Sequence, residues 1–182
     1  MGYKVIHRME EVHEWILILT SDGIHRVYLR QAYIHAQARS EDAFTQNGAL
    51  IISPSSGIIA ADVNRYASLR KPPAYGDTNH IEHAERAVIY RCVGKGLTTL
   101  NTHMYCTSPP CLECARAIIM SGISRVISHK TIWDRIVKHS PNKCDLGILL
   151  LKEVGVEFLL YDGKVLNSGE FTIRSYGESI EP

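Results

Sequence analysis

The chain of 182 residues lacks several things, and each shortage removes a class of function. Its longest apolar run, Trp15 to Leu19, is far too short to cross a bilayer, which takes about 20 such residues. Neither sign of charge is in excess: 20 Lys and Arg face 19 Asp and Glu, for a net charge of +1. No broad field therefore draws the protein to a membrane surface or to nucleic acid. A nucleic-acid substrate is disfavoured on the same ground, because phosphate contacts dominate that affinity. A small anionic substrate needs only a local basic pocket. No basic leader opens the chain either: Glu10, Glu11 and Glu14 stand where an export signal would be apolar or positive. The five cysteines are an odd number and suggest no disulfide framework, so a reducing, cytoplasmic location is expected. Repeats, low-complexity segments and interdomain linkers are missing too. With 45% apolar and 21% charged residues, the composition is that of one globular domain over 1–182 with a real core.

The pattern along the chain begins helical. Val12, Trp15, Ile16 and Leu19 recur at helical spacing, Ser21-Asp22-Gly23 interrupts, and Val27, Ala32, Ile34 and Ala38 resume it. Residues 1–40 are thus expected to form two helices or one broken helix. Ala49-Leu50-Ile51-Ile52 and Ile58-Ile59-Ala60 flank Ser53-Pro54-Ser55-Ser56-Gly57, which predicts a hairpin. A loop rich in turn residues follows from Asn64 to Thr78. A helix from about Ile81 to Val93 ends at Gly94 and Gly96. Strand and helix then alternate: Thr102–Thr107, Pro110–Ser121, Ile123–Ser128, Asp145–Val154 and Val156–Tyr161. That alternation predicts an α/β fold whose later strands are parallel. The tail from Ser168 to Pro182 is polar and is expected to be partly mobile.

Candidate chemistry concentrates at two helix starts. His83 precedes Glu85 by two residues, and Cys111-Leu112-Glu113-Cys114 opens the next helix. Cys111 and Cys114 are three apart, so their thiols share a side, and the positive end of the helix favours the thiolate that binds zinc. Pro110 at the helix start gives up no useful amide. His83 and Glu85 lie roughly 200° apart around a regular helix and could not share a target in its interior. At the first turn they can, if a metal lies beyond the helix end. One neutral His and two thiolates balance the charge of Zn2+ and leave a fourth position open, which is the catalytic arrangement; structural sites are closed by four ligands. Zinc so held lowers the pKa of water to about 7, and a carboxylate beside it moves the protons. His-x-Glu followed by Pro-Cys-x-x-Cys is a known zinc deaminase signature.

The stretch Glu82-His83-Ala84-Glu85-Arg86-Ala87-Val88-Ile89-Tyr90 resembles the zinc helix of the deoxycytidylate (dCMP) deaminase family. Met104-Tyr105-Cys106-Thr107, Cys111 to Ile119, Ser121-Gly122-Ile123 and Lys152 to Glu157 continue the likeness in order, and Asn47 to Ile52 resembles the first strand. It spans about residues 45 to 161. The resemblance implies a three-layer α/β/α sandwich with a five-stranded mixed sheet, and conversion of dCMP to dUMP and ammonia. It implies zinc on His83, Cys111 and Cys114. Glu85 would protonate N3 of the cytosine ring while activated water attacks C4. Backbone amides near Ala84 and Cys111 would orient the base. Asn64 is carried over as a nucleotide contact, with its neighbour Arg65 as the favoured phosphate grip. Members are usually homo-oligomers, often hexamers. The family's Gly-Tyr-Asn-Gly segment stands here as Asp62-Val63-Asn64-Arg65, without its glycines, which leaves triphosphate regulation unsupported.

Competing readings keep the chemistry and change the substrate to cytosine, a nucleoside such as cytidine, guanine or a base in nucleic acid. A further one makes the domain a non-catalytic, zinc-stabilised interaction module, or closes the site with Glu85 as fourth ligand. Cys92, Cys106 and Cys144 read as small apolar core residues. Arg70 and Lys71 are further cations of the loop. Trp133 suits either a pocket cover or a loop anchor, and His80 and His129 either line the site or are bonded elsewhere. Arg86 suits an ion pair, at the surface or with a neighbouring subunit.

Overall fold

The computed structural model describes residues 17–19, 23–67, 80–140 and 143–182. The strands are β1 (Leu17–Leu19), β2 (Gly48–Ser53), β3 (Gly57–Val63), β4 (Arg65–Tyr66), β5 (Ile81–Glu82), β6 (His103–Cys106), β7 (Arg125–His129), β8 (Glu157–Tyr161), β9 (Ile173–Ser175) and β10 (Glu178–Ile180). The helices are α1 (Gly23–Arg39), α2 (Ala84–Gly94), α3 (Leu112–Met120), α4 (Lys130–His139) and α5 (Asp145–Glu153). The main sheet runs β1-β8-β7-β6-β2-β3. Strands β1, β8, β7 and β6 are parallel, and β2 is antiparallel to both β6 and β3. The five-stranded mixed sheet of the family is thus present as β3-β2-β6-β7-β8, and β1 lengthens it at the β8 edge.

Strand β2 shows why the apolar run at 49–52 is continuous rather than alternating. It lies between β3 and β6, and helices cover it on both faces, so Ala49, Leu50 and Ile51 are fully buried. Each buried Leu or Ile contributes about 1.5–3 kcal/mol. Helix α1 covers one face at very short range: a Cβ on Gly48 would sit 2.2 Å from the Ala32 carbonyl oxygen, a distance only glycine allows. Helices α2, α3 and α5 pack side by side on the other face. The two-residue period of the strands sorts side chains between the layers. Tyr105 faces α1, where its hydroxyl meets His25 Nδ1 at 2.9 Å, whereas its neighbour Cys106 faces the α2–α3 layer.

Two expectations change, and the open choice for Trp133 is decided. Leu17–Leu19 are not helical; they pair in parallel with Leu159–Tyr161, because the β8 edge offers unpaired backbone groups that a short apolar segment can satisfy. Val12, Trp15 and Ile16 lie outside the described residues. Helix α4 follows β7 without a loop, and its apolar Ile132, Trp133 and Ile136 are buried. Trp133 packs against Phe158 at 6.4 Å between ring centroids, so it anchors the helix. The tail from Ser168 to Pro182 is docked, not loose: Ile173 and Ser175 are buried, the Leu166 amide donates to the Pro182 carbonyl at 3.1 Å, and Arg135 pairs with Glu178 at 2.6 Å. Among the described residues no helix is long and apolar enough to cross a membrane.

His129 ends β7 on the α1 side and does not line the site. Its ring is fully occupied: Nε2 donates to the Gly163 carbonyl at 3.0 Å, and Nδ1 accepts from the Tyr33 hydroxyl at 2.8 Å. Burial lowers its pKa from 6.5 to about 4. As pH falls, the unfolded chain takes up this proton first. The stabilisation is therefore complete above pH 6.5 and lost as pH falls to 4, amounting to about 3 kcal/mol. Urea midpoints measured from pH 7.5 to 4 are expected to fall more steeply for the wild type than for His129→Asn. Equal slopes in that window would show that His129 is not the group responsible.

Candidate active site

The site lies where β6 and β7 end and where α2 and α3 begin, the usual place for ligands at the carboxyl ends of parallel strands. His83 is the N-cap of α2, with extended backbone (φ −68°, ψ 147°), and Cys111 is the N-cap of α3, also extended (φ −71°, ψ 173°). The extended cap resolves the angular conflict between His83 and Glu85. His83 stands before the helical rotation starts, so both side chains line one cavity. Helix α5 closes in behind Cys111; a Cβ on Gly147 would lie 2.9 Å from the Pro110 carbonyl oxygen.

His83 Nδ1 is 3.6 Å from Cys111 Sγ and 3.5 Å from Cys114 Sγ, and the two sulfurs are 3.5 Å apart. A tetrahedral zinc with bonds of about 2.3 Å to sulfur and 2.0–2.1 Å to nitrogen requires separations of about 3.8 and 3.6 Å. The trio fits that ion. Its electrostatics agree. The Cys111 thiol is drawn down to about 3, chiefly by the hydrogen bond from Cys114 and further by His83, against burial. Cys114 is pushed up by the sulfur beside it and by burial. Two sulfurs this close ionise together only with a cation between them. Arg86, in the first turn of α2, pairs with Glu82 and donates to Cys114 Sγ at 3.3 Å, so it supports a ligand from behind.

Glu85 is 3% exposed, and its Oε2 has no hydrogen-bond partner among the described residues. Burial raises its pKa, with His83 opposing. An unpartnered carboxylate oxygen costs free energy unless something arrives to use it. A cavity of about 290 Å³ opens beside it, shared by His83, Asn64 and Cys111.

Asn64 and Ala84 are brought together, but with each other. Asn64 Oδ1 accepts from the Ala84 amide at 3.0 Å, and Asn64 Nδ2 donates to the Thr45 carbonyl at 2.9 Å and to Asp42 at 3.3 Å. The Ala84 amide is therefore already engaged. Arg65 is placed elsewhere: it lies 3.6 Å from Asp62, lining a separate surface pocket with Tyr90 and Arg91. Its turn into β4 points it away from His83, so it does not serve this cavity within the chain. Arg70 and Lys71 lie outside the described residues.

The far wall of the cavity was not foreseen from the sequence. It is made by Ile136 of α4, Lys143, Cys144, and Ser175 and Tyr176 of the terminal hairpin. The spacing of Ile132, Trp133 and Ile136 signals the helix; nothing in the sequence signals that the hairpin folds back onto the site. Cys144 is buried as expected of a core thiol, yet it borders the cavity.

A family model for the cytidine and deoxycytidylate deaminase zinc-binding region matches residues 23–130. A probable deoxycytidylate deaminase of Drosophila melanogaster is 29% identical over 116 residues, covering 55% of this chain and 56% of that protein. The chain thus spans about half the length of this relative. Among solved structures, the dCMP deaminase of cyanophage S-TIM5 is similar with a TM-score of 0.62 in its apo form and 0.60 in complex with dCMP and dUMP. The identities are 20% and 19%, and each match covers 77% of this chain and 98% of the phage chain. A diaminohydroxyphosphoribosylaminopyrimidine deaminase/5-amino-6-(5-phosphoribosylamino)uracil reductase of Thermotoga maritima follows at 0.55, with 21% identity over 75% of this chain and 36% of that one.

Proposed function

We propose, since the chain belongs to the cytidine and deoxycytidylate deaminase family, that it converts dCMP to dUMP and ammonia. The observation that carries the reading is the buried, unpartnered Glu85 oxygen beside a three-donor cluster with zinc spacing. A three-ligand metal site that only stabilises the fold has no use for such a group. The choice of dCMP is supported by the fly relative and by the motif likeness from Glu82 to Ile123.

His83, Cys111 and Cys114 hold the ion, which when bound supplies Lewis-acid activation of water at neutral pH. Glu85 takes the proton of the attacking water and passes it to N3 as the C4–O bond forms. Glu85 then takes the proton of the new C4 hydroxyl and gives it to the exocyclic nitrogen; the C4–N bond breaks, the C4 carbonyl forms, and ammonia leaves. Asn64 fixes the first turn of α2, and with it the placement of His83 and Glu85. Homo-oligomeric assembly belongs to the same proposal; Tyr90, Val93 and Met120 are large apolar side chains left exposed on α2 and α3.

Zinc-loaded protein is to be offered dCMP, deoxycytidine, cytosine, guanine, 5-methyl-dCMP and single-stranded DNA, with ammonia and the deaminated base recorded. The expected kcat/KM for dCMP exceeds that for deoxycytidine by about 100-fold, the worth of one or two charge-assisted phosphate contacts. Equal turnover of the two sinks the monophosphate, and no ammonia from any substrate sinks the enzyme.

A further inference from the structure

The cavity is divided between two parts of the chain. His83, Glu85, Cys111 and Asn64 lie within residues 23–130, the part matched by the family model. Lys143 and Tyr176 line the same cavity but lie beyond that part of the chain. Resting on the proposed dCMP reading, we infer that Lys143 is the residue that reads the substrate's phosphate, and that the Tyr176 ring holds it in place.

Charge accounting on the cavity wall supports this. Asp42 also lines the cavity, but three donors already occupy its carboxylate: the Phe44 and Thr45 amides at 2.9 and 3.0 Å, and Asn64 Nδ2 at 3.3 Å. Lys143 forms no ion pair among the described residues. Its ammonium instead lies 5.3 Å from the centroid of the Tyr176 ring. A cation held over an aromatic face keeps its donors free for an incoming anion. Arg65, the cation favoured from the sequence, is engaged with Asp62 outside this cavity.

The backbone at Tyr176 points the same way. Tyr176 and Gly177 are the two central residues of the β9–β10 turn, with φ of 53° and 78°. Both positions of such a turn are left-handed, and Asn, Asp or Gly normally takes the first. A tyrosine there is held by its surroundings. Its ring stacks on His139 at 5.3 Å and meets Phe44 edge-on at 6.4 Å, and its amide donates to Thr45 Oγ1 at 3.4 Å. The ring is thus clamped between α4 and the loop before β2, at the position that supports the lysine.

The test is the ratio of kcat/KM for dCMP to that for deoxycytidine, together with calorimetric binding of dUMP and deoxyuridine. Lys143→Met is expected to lower the dCMP preference by about 10- to 100-fold and to weaken dUMP far more than deoxyuridine. Lys143→Arg keeps most of the preference. Tyr176→Asn suits the left-handed turn but removes the ring, so it lowers the preference while the melting temperature stays near that of the wild type. Tyr176→Phe keeps the preference. A wild type that prefers dCMP together with a Lys143→Met variant that does so equally overturns the inference and leaves the dCMP reading standing. A wild type indifferent to the phosphate overturns both. A ratio lowered in Lys143→Met but not in Tyr176→Asn removes the role given to the ring.

Discussion

Glu85→Gln is expected to lower kcat for deamination by about 10³- to 10⁴-fold, the upper part of the range for a positioned acid–base group. Zinc content is expected to stay at that of the wild type. The substitution is nearly isosteric at a position only 3% exposed, so the cavity keeps its shape. What disappears is the capacity to accept and return a proton. Stability is expected to hold or rise, because burial already disfavours the charged carboxylate and its Oε2 has no partner to lose. Ammonia release, metal analysis and thermal melts on one preparation separate the outcomes. A variant keeping a tenth or more of the activity would mean that another group moves the protons. A variant that sheds its zinc would make Glu85 a fourth ligand and the site a structural one.

Removing the metal is expected to abolish activity and to destabilise the fold as well. Two sulfurs 3.5 Å apart, with His83 at the same range, repel or share protons when no cation joins them. Binding to the folded protein alone contributes about 4 kcal/mol when free zinc stands at 1,000 times its dissociation constant. For a chain of this size each kcal/mol shifts the melting temperature by about 2–4 °C, so chelation should lower it by roughly 10 °C. Cys114→Ala is expected to reproduce both effects, because it removes a ligand that joins α3 to the α2 cap and leaves Arg86 without its sulfur acceptor. Readdition of zinc should restore the chelated wild type and not the variant. A chelated protein with unchanged activity and melting temperature would remove zinc from the mechanism.

The metal centre was legible in the chain because its determinants are local. Cys111 and Cys114 need only one helical turn to meet, and Pro110 marks where that turn begins. His83 and Glu85 are two residues apart, and the condition that lets them share a target, a metal beyond the helix end, can be stated from helix geometry alone. The continuous apolar run of β2 and the turn at Ser53–Gly57 declare a buried hairpin in the same way. Arg86 was half legible: its spacing from Glu82 announces an ion pair, but its reach to Cys114 depends on how α2 and α3 pack.

Elsewhere the deciding contacts are between segments far apart. Leu17–Leu19 carries helical periodicity, and only the open edge of β8, some 140 residues on, makes it a strand. Arg65 adjoins Asn64 in the chain, but the antiparallel pairing of β4 with β5 turns it outward toward Asp62. The polar tail looks free because its anchors, Arg135, Gln46 and Phe44, lie in other elements. By itself the sequence determined which residues can hold a metal and which carboxylate is proposed to move protons beside it, since residues within one helical turn have their relative positions set by backbone geometry. Only the tertiary structure decided which residues face them across the cavity. That wall comes from α4, the segment at Lys143 and the terminal hairpin, and their arrival there is a matter of long-range packing that no local spacing records.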